Sequence, residues 1–476
     1  MRILLLFPPI RESDNPRNFP HGIGMIAAVL RNAGHQVRVL DINGNRWPKK
    51  EVVKKIKEEM FEVVGIGGLI TVYGYLKWLV PILKGINPSA PIIIGGSLGC
   101  SIPDIVLGKN DIDIVVDGEG EITIVKLIGV LENKRDLSTV KGIYFKDNGK
   151  IVKTPPRELI KNLDELPFPA YDLFPMEIYL SNPVVGIGRD LDLISSRGCP
   201  YHCTFCYRVF GNRYRFHSPD YIIKEIKFLK KRYDIDFISF QDDEFMANRR
   251  RIYEFCEKRN RFFPDLLWSC TGRANIVAHD EEIVKMMRDS GCTLISFGFE
   301  SGSQRMLDSM NKMQTIEMME KTLKICRKYG LPVPVSFIIG MPGEDEKSCE
   351  ETVHFCIRNN IPLDSLMFAT PYPGSEIFNF ALRTKRIDKN NINEFLMKLG
   401  DARDFTINLT DYFTDEELIN KRKEMMEITK ENYRKFITEQ EIKEKMRNLF
   451  GGLMDRIHLD EKDLEHRLIH GGISIF

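Results

Sequence analysis

Short apolar runs alternate with amphipathic segments twice along this chain, and a proline-rich stretch lies between the two series. In the first series, residues 1 to about 150, the apolar runs are Ile3–Phe7, Gln36–Leu40, Val63–Gly67, Pro91–Ile94 and Ile112–Val116, with helical spacing between them, as in Gly22–Asn32 and Lys49–Met60. Buried strands joined by helix-length crossovers predict a doubly wound parallel α/β sheet. From Leu191 to about Pro373 the alternation resumes, with strands expected at Leu191–Ser196, Asp236–Phe240, Leu266–Cys270, Thr293–Gly298, Val333–Gly340 and Ser365–Thr370. Ser218-Pro219 supplies an N-cap and a proline at the first helical position, and Ile222, Ile223, Ile226 and Leu229 then mark one apolar stripe. Six such units fall short of the eight that close a barrel.

The intervening stretch, 151–190, carries Pro155, Pro156, Pro167, Pro169, Pro175 and Pro183, a density that argues against regular helix or central strand and predicts a linker. Residues 385–476 are highly charged with helical spacing, for example Asp415–Phe436, and predict a mainly helical segment. The expected domains are therefore 1–150, the linker 151–190, 191–384 and 385–476.

A chain of 476 residues has room for several domains, and a net charge of +1 gives no general case for nucleic acid as a partner. The first residues carry one charge and an apolar run too short for a signal peptide, and no uninterrupted apolar run is long enough for a transmembrane segment. Seven of the ten cysteines, among them Cys100, Cys256, Cys349 and Cys356, are scattered, which reads as buried thiols of a reducing compartment. A cytoplasmic location follows as the expectation.

The other three cysteines change the picture. Cys199, Cys203 and Cys206 stand in Ser195-Ser196-Arg197-Gly198-Cys199-Pro200-Tyr201-His202-Cys203-Thr204-Phe205-Cys206, a C-x3-C-x2-C loop. Zinc sites close with four protein ligands, commonly from paired C-x2-C units, and ferredoxin-type runs supply four cysteines per cluster. Three thiolates on one loop can ligate three irons of a cubane and leave the fourth open to a small molecule.

This loop, with Phe205 before its third cysteine, resembles the signature of the radical S-adenosylmethionine (SAM) superfamily, whose core is a six-unit partial (β/α) barrel. The resemblance implies a 4Fe-4S cluster held by Cys199, Cys203 and Cys206. Its open iron is chelated by SAM, and one electron cleaves SAM to methionine and a 5'-deoxyadenosyl radical. It also implies an electron donor such as ferredoxin or flavodoxin, and an exposed cluster would favour an anaerobe.

The first series ends its strands in glycines: Gly65-Ile66-Gly67-Gly68-Leu69, Gly95-Gly96-Ser97 and Asp117-Gly118-Glu119-Gly120-Glu121. Glycine admits a ligand close to the backbone, and ligands of such sheets sit beyond the carboxyl strand ends. The order of segments resembles the cobalamin-binding domain that precedes the barrel in one large subgroup of the superfamily. Gly68, Leu69, Gly95, Gly96 and Ser97 would there cradle the nucleotide tail of the corrinoid. The D-x-H-x-x-G motif that supplies a cobalt-binding His is absent; Ile10-Arg11-Glu12-Ser13-Asp14-Asn15 stands in its place, and His21 reads as a helix-entry residue.

At the strand ends of the second series the resemblance assigns SAM contacts to the acidic cluster Asp242, Asp243 and Glu244, to Arg273 as a partner for the SAM carboxylate, and to Glu300, in Gly298-Phe299-Glu300-Ser301, for the SAM ribose. Cobalamin-dependent methylation of an unactivated carbon of a small-molecule or lipid substrate is the implied activity, with radical oxidation, cyclisation or C–C bond formation as the alternative. A methylthiotransferase would need three further cysteines in the N-terminal domain, where only Cys100 occurs; a non-enzymatic corrinoid-binding protein would not need the cysteine loop. Met446–Ile457 mixes apolar residues with Arg447 and Arg456 and is expected to form an amphipathic helix packed on the barrel.

Overall fold

The computed structural model describes residues 1–11, 14–182 and 188–436. They divide into two compact units, one comprising Met1–Asn182, Tyr207–Gly211 and Ile387–Leu399, the other residues 188–206, 212–386 and 400–436.

The first unit is built on β1 (Arg2–Phe7), β2 (Gln36–Asp41), β3 (Val63–Gly67), β4 (Ile92–Gly95) and β5 (Ile114–Val116), all parallel in the order β2-β1-β3-β4-β5. Ile3–Leu6, Val63, Val64, Ile66 and Ile92–Ile94 are buried, as expected of strands covered by helices on both faces. A hairpin, β6 (Ile143–Asp147) and β7 (Lys150–Lys153), extends the sheet antiparallel beyond β5. Its turn residues Asn148 and Gly149 have φ of 47° and 76°, the left-handed pair of a tight hairpin turn.

The stretch read as a linker contributes to this unit's core as far as Asn182. Tyr171 and Tyr179 are fully buried, the Phe19 ring packs on Tyr171, Phe174 and Tyr179, and Ile160, Leu163 and Leu166 cluster with Met25. Tyr179 Oη donates to Asp41 Oδ2 at 2.6 Å. Proline excludes long elements here without excluding burial of the aromatics between the prolines. The helix His21–Asn32 opens on His21, with the imidazole edge-on to Phe19. The helix Ile392–Lys398 packs on the helix Tyr73–Ile86, where Tyr73 Oη donates to Asn393 Oδ1 at 2.8 Å.

The second unit opens with β8 (Asp190–Leu193) and a two-stranded antiparallel ribbon, β9 (Ser196–Arg197) and β10 (Arg215–Phe216). It continues through β11 (Phe237–Phe240), β12 (Leu267–Gly272), β13 (Cys292–Glu300), β14 (Val335–Ile339) and β15 (Leu366–Phe368). Six strands form one wholly parallel sheet in chain order, β8-β11-β12-β13-β14-β15, a curled half-barrel. Phe240, Phe245, Phe255 and Trp268 form one aromatic cluster of its core, and Phe299, Phe337 and Phe355 another. The helix Asp415–Arg434, closed at its start by a Thr414–Glu417 capping box, packs on the helix Glu346–Arg358, in which Cys349 and Cys356 are both buried. The amphipathic stretch Met446–Ile457 lies outside the described residues. Among the described residues no helix is long and apolar enough to cross a membrane.

Candidate active site and cofactor cradles

The cysteine loop leaves β9 through Gly198, whose φ of 81° allows the chain to turn. Cys203 is buried and Cys206 exposed. The loop is tied down on three sides. Asp242, just past β11, spends both carboxylate oxygens on its root: Ser195 N and Oγ donate at 2.5 and 2.6 Å, Ser196 N and Oγ at 3.1 and 2.8 Å. Arg251 Nη2 lies 3.8 Å from the same carboxylate, both side chains being buried, and Arg251 also donates to Ser195 O, His217 O and Phe245 O. Asp243 Oδ2 accepts from Gly198 N at 3.1 Å. Further on, Thr204 N donates to Met310 O, and Thr204 O accepts from Glu376 N and Ile377 N at the start of the helix Glu376–Arg383.

The residues assigned to SAM by resemblance therefore fall into two groups. Asp242 and Asp243 hold the cluster loop. Glu244 caps the short turn Phe245–Ala247 through Met246 N, and burial pushes its carboxyl up to about 7. Arg273 reaches the cysteines: Nη1 is 3.7 Å from Cys203 Sγ, Nη2 donates to Lys312 O, Nε donates to Asn275 Oδ1, and the guanidinium lies 3.7 Å over the Tyr201 ring. Asn275 Nδ2 in turn donates to Tyr201 Oη at 2.9 Å.

Glu300 ends β13 at a bulge against β14, with a left-handed φ of 67°. Such bulges re-aim a side chain, and here the carboxylate accepts from Lys312 Nζ at 2.7 Å in a buried pair. A Cβ on Gly298 would meet Glu300 Oε1, so a side chain there would displace this carboxylate from its present position. Lys312 and Arg251 carry much of this arrangement, and sequence reasoning missed both. Neither lies in a motif or on a strand end, so spacing gave no signal for either.

The thiols fit a cluster in chemistry. The Cys203 thiol is held below its ordinary value, first by a hydrogen bond from the Cys206 thiol and then by the Lys312 and Arg273 charges. Cationic surroundings of this kind favour a thiolate at Cys203, whereas burial pushes the Cys199 thiol up and the hydrogen bond to Cys203 pushes the Cys206 thiol up. Among the described residues no three His, Cys, Asp or Glu side chains already stand in metal-ligating geometry, so the cysteines share a loop and not a preformed cage.

In the first unit the register Gly67↔Gly95 brings the ends of β3 and β4 side by side. Leu98 N donates to Gly68 O at 3.1 Å and Ile70 N to Ser97 Oγ at 3.2 Å, so the two glycine loops lock together. Gly96 has a φ of 72°, and a Cβ there would come within 2.9 Å of Gly68 O; one on Gly95 would meet nothing. Leu69 is exposed, Ser97 is buried, and Thr71 Oγ1 is buried without a hydrogen-bond partner. An open glycine edge beside an unsatisfied hydroxyl fits a polar nucleotide tail. Cys100 Sγ donates to Val116 O at the end of β5 at 3.1 Å, and burial pushes this thiol up to about 11.

Comparison with known proteins identifies both domains. The family model of the radical SAM superfamily matches residues 193–356, and that of the B12 binding domain matches residues 15–128. An uncharacterized methyltransferase of Pyrococcus horikoshii is 33% identical over 80% of this chain and 83% of its own. An anaerobic magnesium-protoporphyrin IX monomethyl ester cyclase of Rubrivivax gelatinosus is 28% identical over 79% of this chain and 69% of its own. A cytidylyl-2-hydroxyethylphosphonate methyltransferase of Streptomyces wedmorensis is 28% identical over 81% and 83%. Among solved structures, the radical SAM methyltransferase TsrM of Kitasatospora setae superposes with a TM-score of 0.68 at 19% identity, over 81% of this chain and 77% of that one. The cobalamin-dependent radical enzyme OxsB gives 0.66 at 20% identity, over 87% and 58%. At these identities the two structures speak for the fold.

Proposed function

The chain belongs to the radical SAM superfamily, in the subgroup that carries a B12-binding domain, and from that premise we propose that it methylates an unactivated carbon of a small-molecule or lipid substrate. The observation that carries the reading is the cysteine loop pinned by Asp242 and faced by Arg273 and Lys312. When bound, the cofactors supply reductive SAM cleavage at the cluster and methyl carriage on the corrinoid.

The protein's own residues bind and orient. Cys199, Cys203 and Cys206 hold the cluster, and Glu300, steadied by Lys312, receives the SAM ribose. Arg273, which lies beside Cys203 Sγ and donates to Lys312 O, would pair with the SAM carboxylate. Gly68, Leu69, Gly95, Gly96 and Ser97 form the cobalamin cradle. Glu244, neutral below about pH 7, can donate as well as accept a hydrogen bond beside the site. The seven scattered cysteines, none in a disulfide, support a reducing, cytoplasmic setting, and reductive SAM cleavage calls for an electron donor such as ferredoxin or flavodoxin.

A second reading, radical cyclisation or oxidation without methyl transfer, is favoured by the 28% identity to the ester cyclase. The two separate by product analysis. Enzyme loaded with cluster and cobalamin is given SAM, a reductant and fractionated small molecules of its host. Methyl transfer forms S-adenosylhomocysteine together with 5'-deoxyadenosine, whereas 5'-deoxyadenosine alone, with unmethylated product, refutes it.

A further inference from the structure

Lys312 lies outside every motif of the chain, yet three parts of the site meet on it. Its Nζ donates to Glu300 Oε1 at 2.7 Å, with both side chains buried. Its carbonyl accepts from Arg273 Nη2, while Arg273 Nη1 reaches Cys203 Sγ. Its neighbours hold the cysteine loop: Asn311 Nδ2 donates to His202 O at 3.0 Å, and Met310 O accepts from Thr204 N at 3.0 Å. Asn311 and Met313, on either side, have φ of 51° and 54°. Two non-glycine residues in the left-handed region persist only where the surroundings over-determine them, and such positions cluster at functional sites.

We propose that Lys312 is a positioning residue that joins the two halves of the SAM site. It fixes the Glu300 carboxylate and, through its carbonyl, seats Arg273 against the Cys203 sulfur. The inference rests on the SAM-cleaving function proposed above. Removing one partner of a buried ion pair leaves the other charged and uncompensated, so Glu300 without Lys312 loses its set position. Hydrogen bonds to ligating sulfurs and local positive charge raise a cluster's potential. One loop thus governs both where SAM lies and how readily the cluster accepts its electron.

The test uses full-length enzyme reconstituted without oxygen, as wild type, Lys312→Met, Lys312→Arg, Glu300→Gln and the Lys312→Met/Glu300→Gln double variant. Iron content, SAM affinity and the midpoint potential of the cluster are measured. Lys312→Met should keep its iron, bind SAM about tenfold more weakly and show a more negative potential, and Lys312→Arg should recover most of the affinity. The losses in the double variant should fall short of additive, as for residues in direct contact. Unchanged affinity and potential in Lys312→Met, or a loss that Lys312→Arg does not relieve, would overturn the proposal. If Lys312→Met fails to retain iron, Glu300→Gln decides: SAM affinity equal to wild type would overturn it equally. A wild type that assembles no cluster and binds no SAM refutes the proposed function instead.

Discussion

Both units end parallel strands in a candidate ligand edge, yet the two edges are made of opposite materials. In the first unit β3 and β4 run out into Gly68, Gly95 and Gly96, where the working surface is backbone and the decisive property is the missing Cβ. In the second, β11, β12 and β13 run out into Asp242, Glu244, Arg273 and Glu300, all buried and all hydrogen-bonded within the unit. A glycine edge suits a bulky ligand recognised by shape and main-chain contact. A charged edge suits a small chelate and a cluster whose position and electron affinity depend on fixed charges. Substitutions should therefore fail differently in the two places: by steric exclusion in the first, by uncompensated charge in the second.

The largest expected effect is in the charged unit. Cys203→Ala should abolish cluster assembly and SAM cleavage while leaving corrinoid content as in wild type, as measured by iron, cobalt and 5'-deoxyadenosine analysis. Next, Asp242→Ala removes the acceptor of four donors and leaves the buried Arg251 charge without its carboxylate, a change that typically costs about 3–5 kcal/mol. Urea denaturation should show that loss, and a loss no greater than that of a surface substitution would remove Asp242 from the account.

In the glycine unit, Gly96→Ala places a Cβ 2.9 Å from Gly68 O at a φ of 72°. It should cost about 1–2 kcal/mol and lower cobalamin retention, with iron unchanged. The smallest effect concerns pH. Burial pushes Glu344 up to about 7 from an ordinary 4.5, although Gly340 N and Met341 N donate to it. The folded state thus holds a proton that the unfolded state releases, so this contribution is full below about pH 4.5 and is lost as pH rises through about 7. Glu344→Gln keeps an acceptor and removes the ionisation. Stability measured by denaturation should become flatter across that window, with a gain on the order of 3 kcal/mol at most on its alkaline side.

How much of this could be read from the sequence follows from what periodicity records. Both parallel sheets were legible because their strands are buried runs of Ile, Val, Leu and Phe separated by helices, and the three cysteines were legible because their spacing is chemistry by itself. The β6–β7 hairpin was not, because its strands are short and half exposed, although Asn148-Gly149 marked its turn. The burial of Tyr171 and Tyr179 was hidden by the prolines around them. At the second site, sequence position placed these residues at strand ends but gave no direction for each side chain. Asp242 turns back to Ser195 and Ser196, and Arg273 turns to Cys203. Lys312 gave no periodic or motif signal, since its importance arises from a loop that folds over another loop.

The contrast between the two edges is tested most directly by cobalt and iron content per chain, after oxygen-free purification from cells supplied with corrinoid, in the wild type, Cys203→Ala and Gly96→Ala. Roughly one cobalt and about four irons are expected in the wild type, with loss of iron alone in the cysteine variant and reduced cobalt alone in the glycine variant. Iron without cobalt in the wild type, or loss of both metals together in either variant, would contradict that contrast.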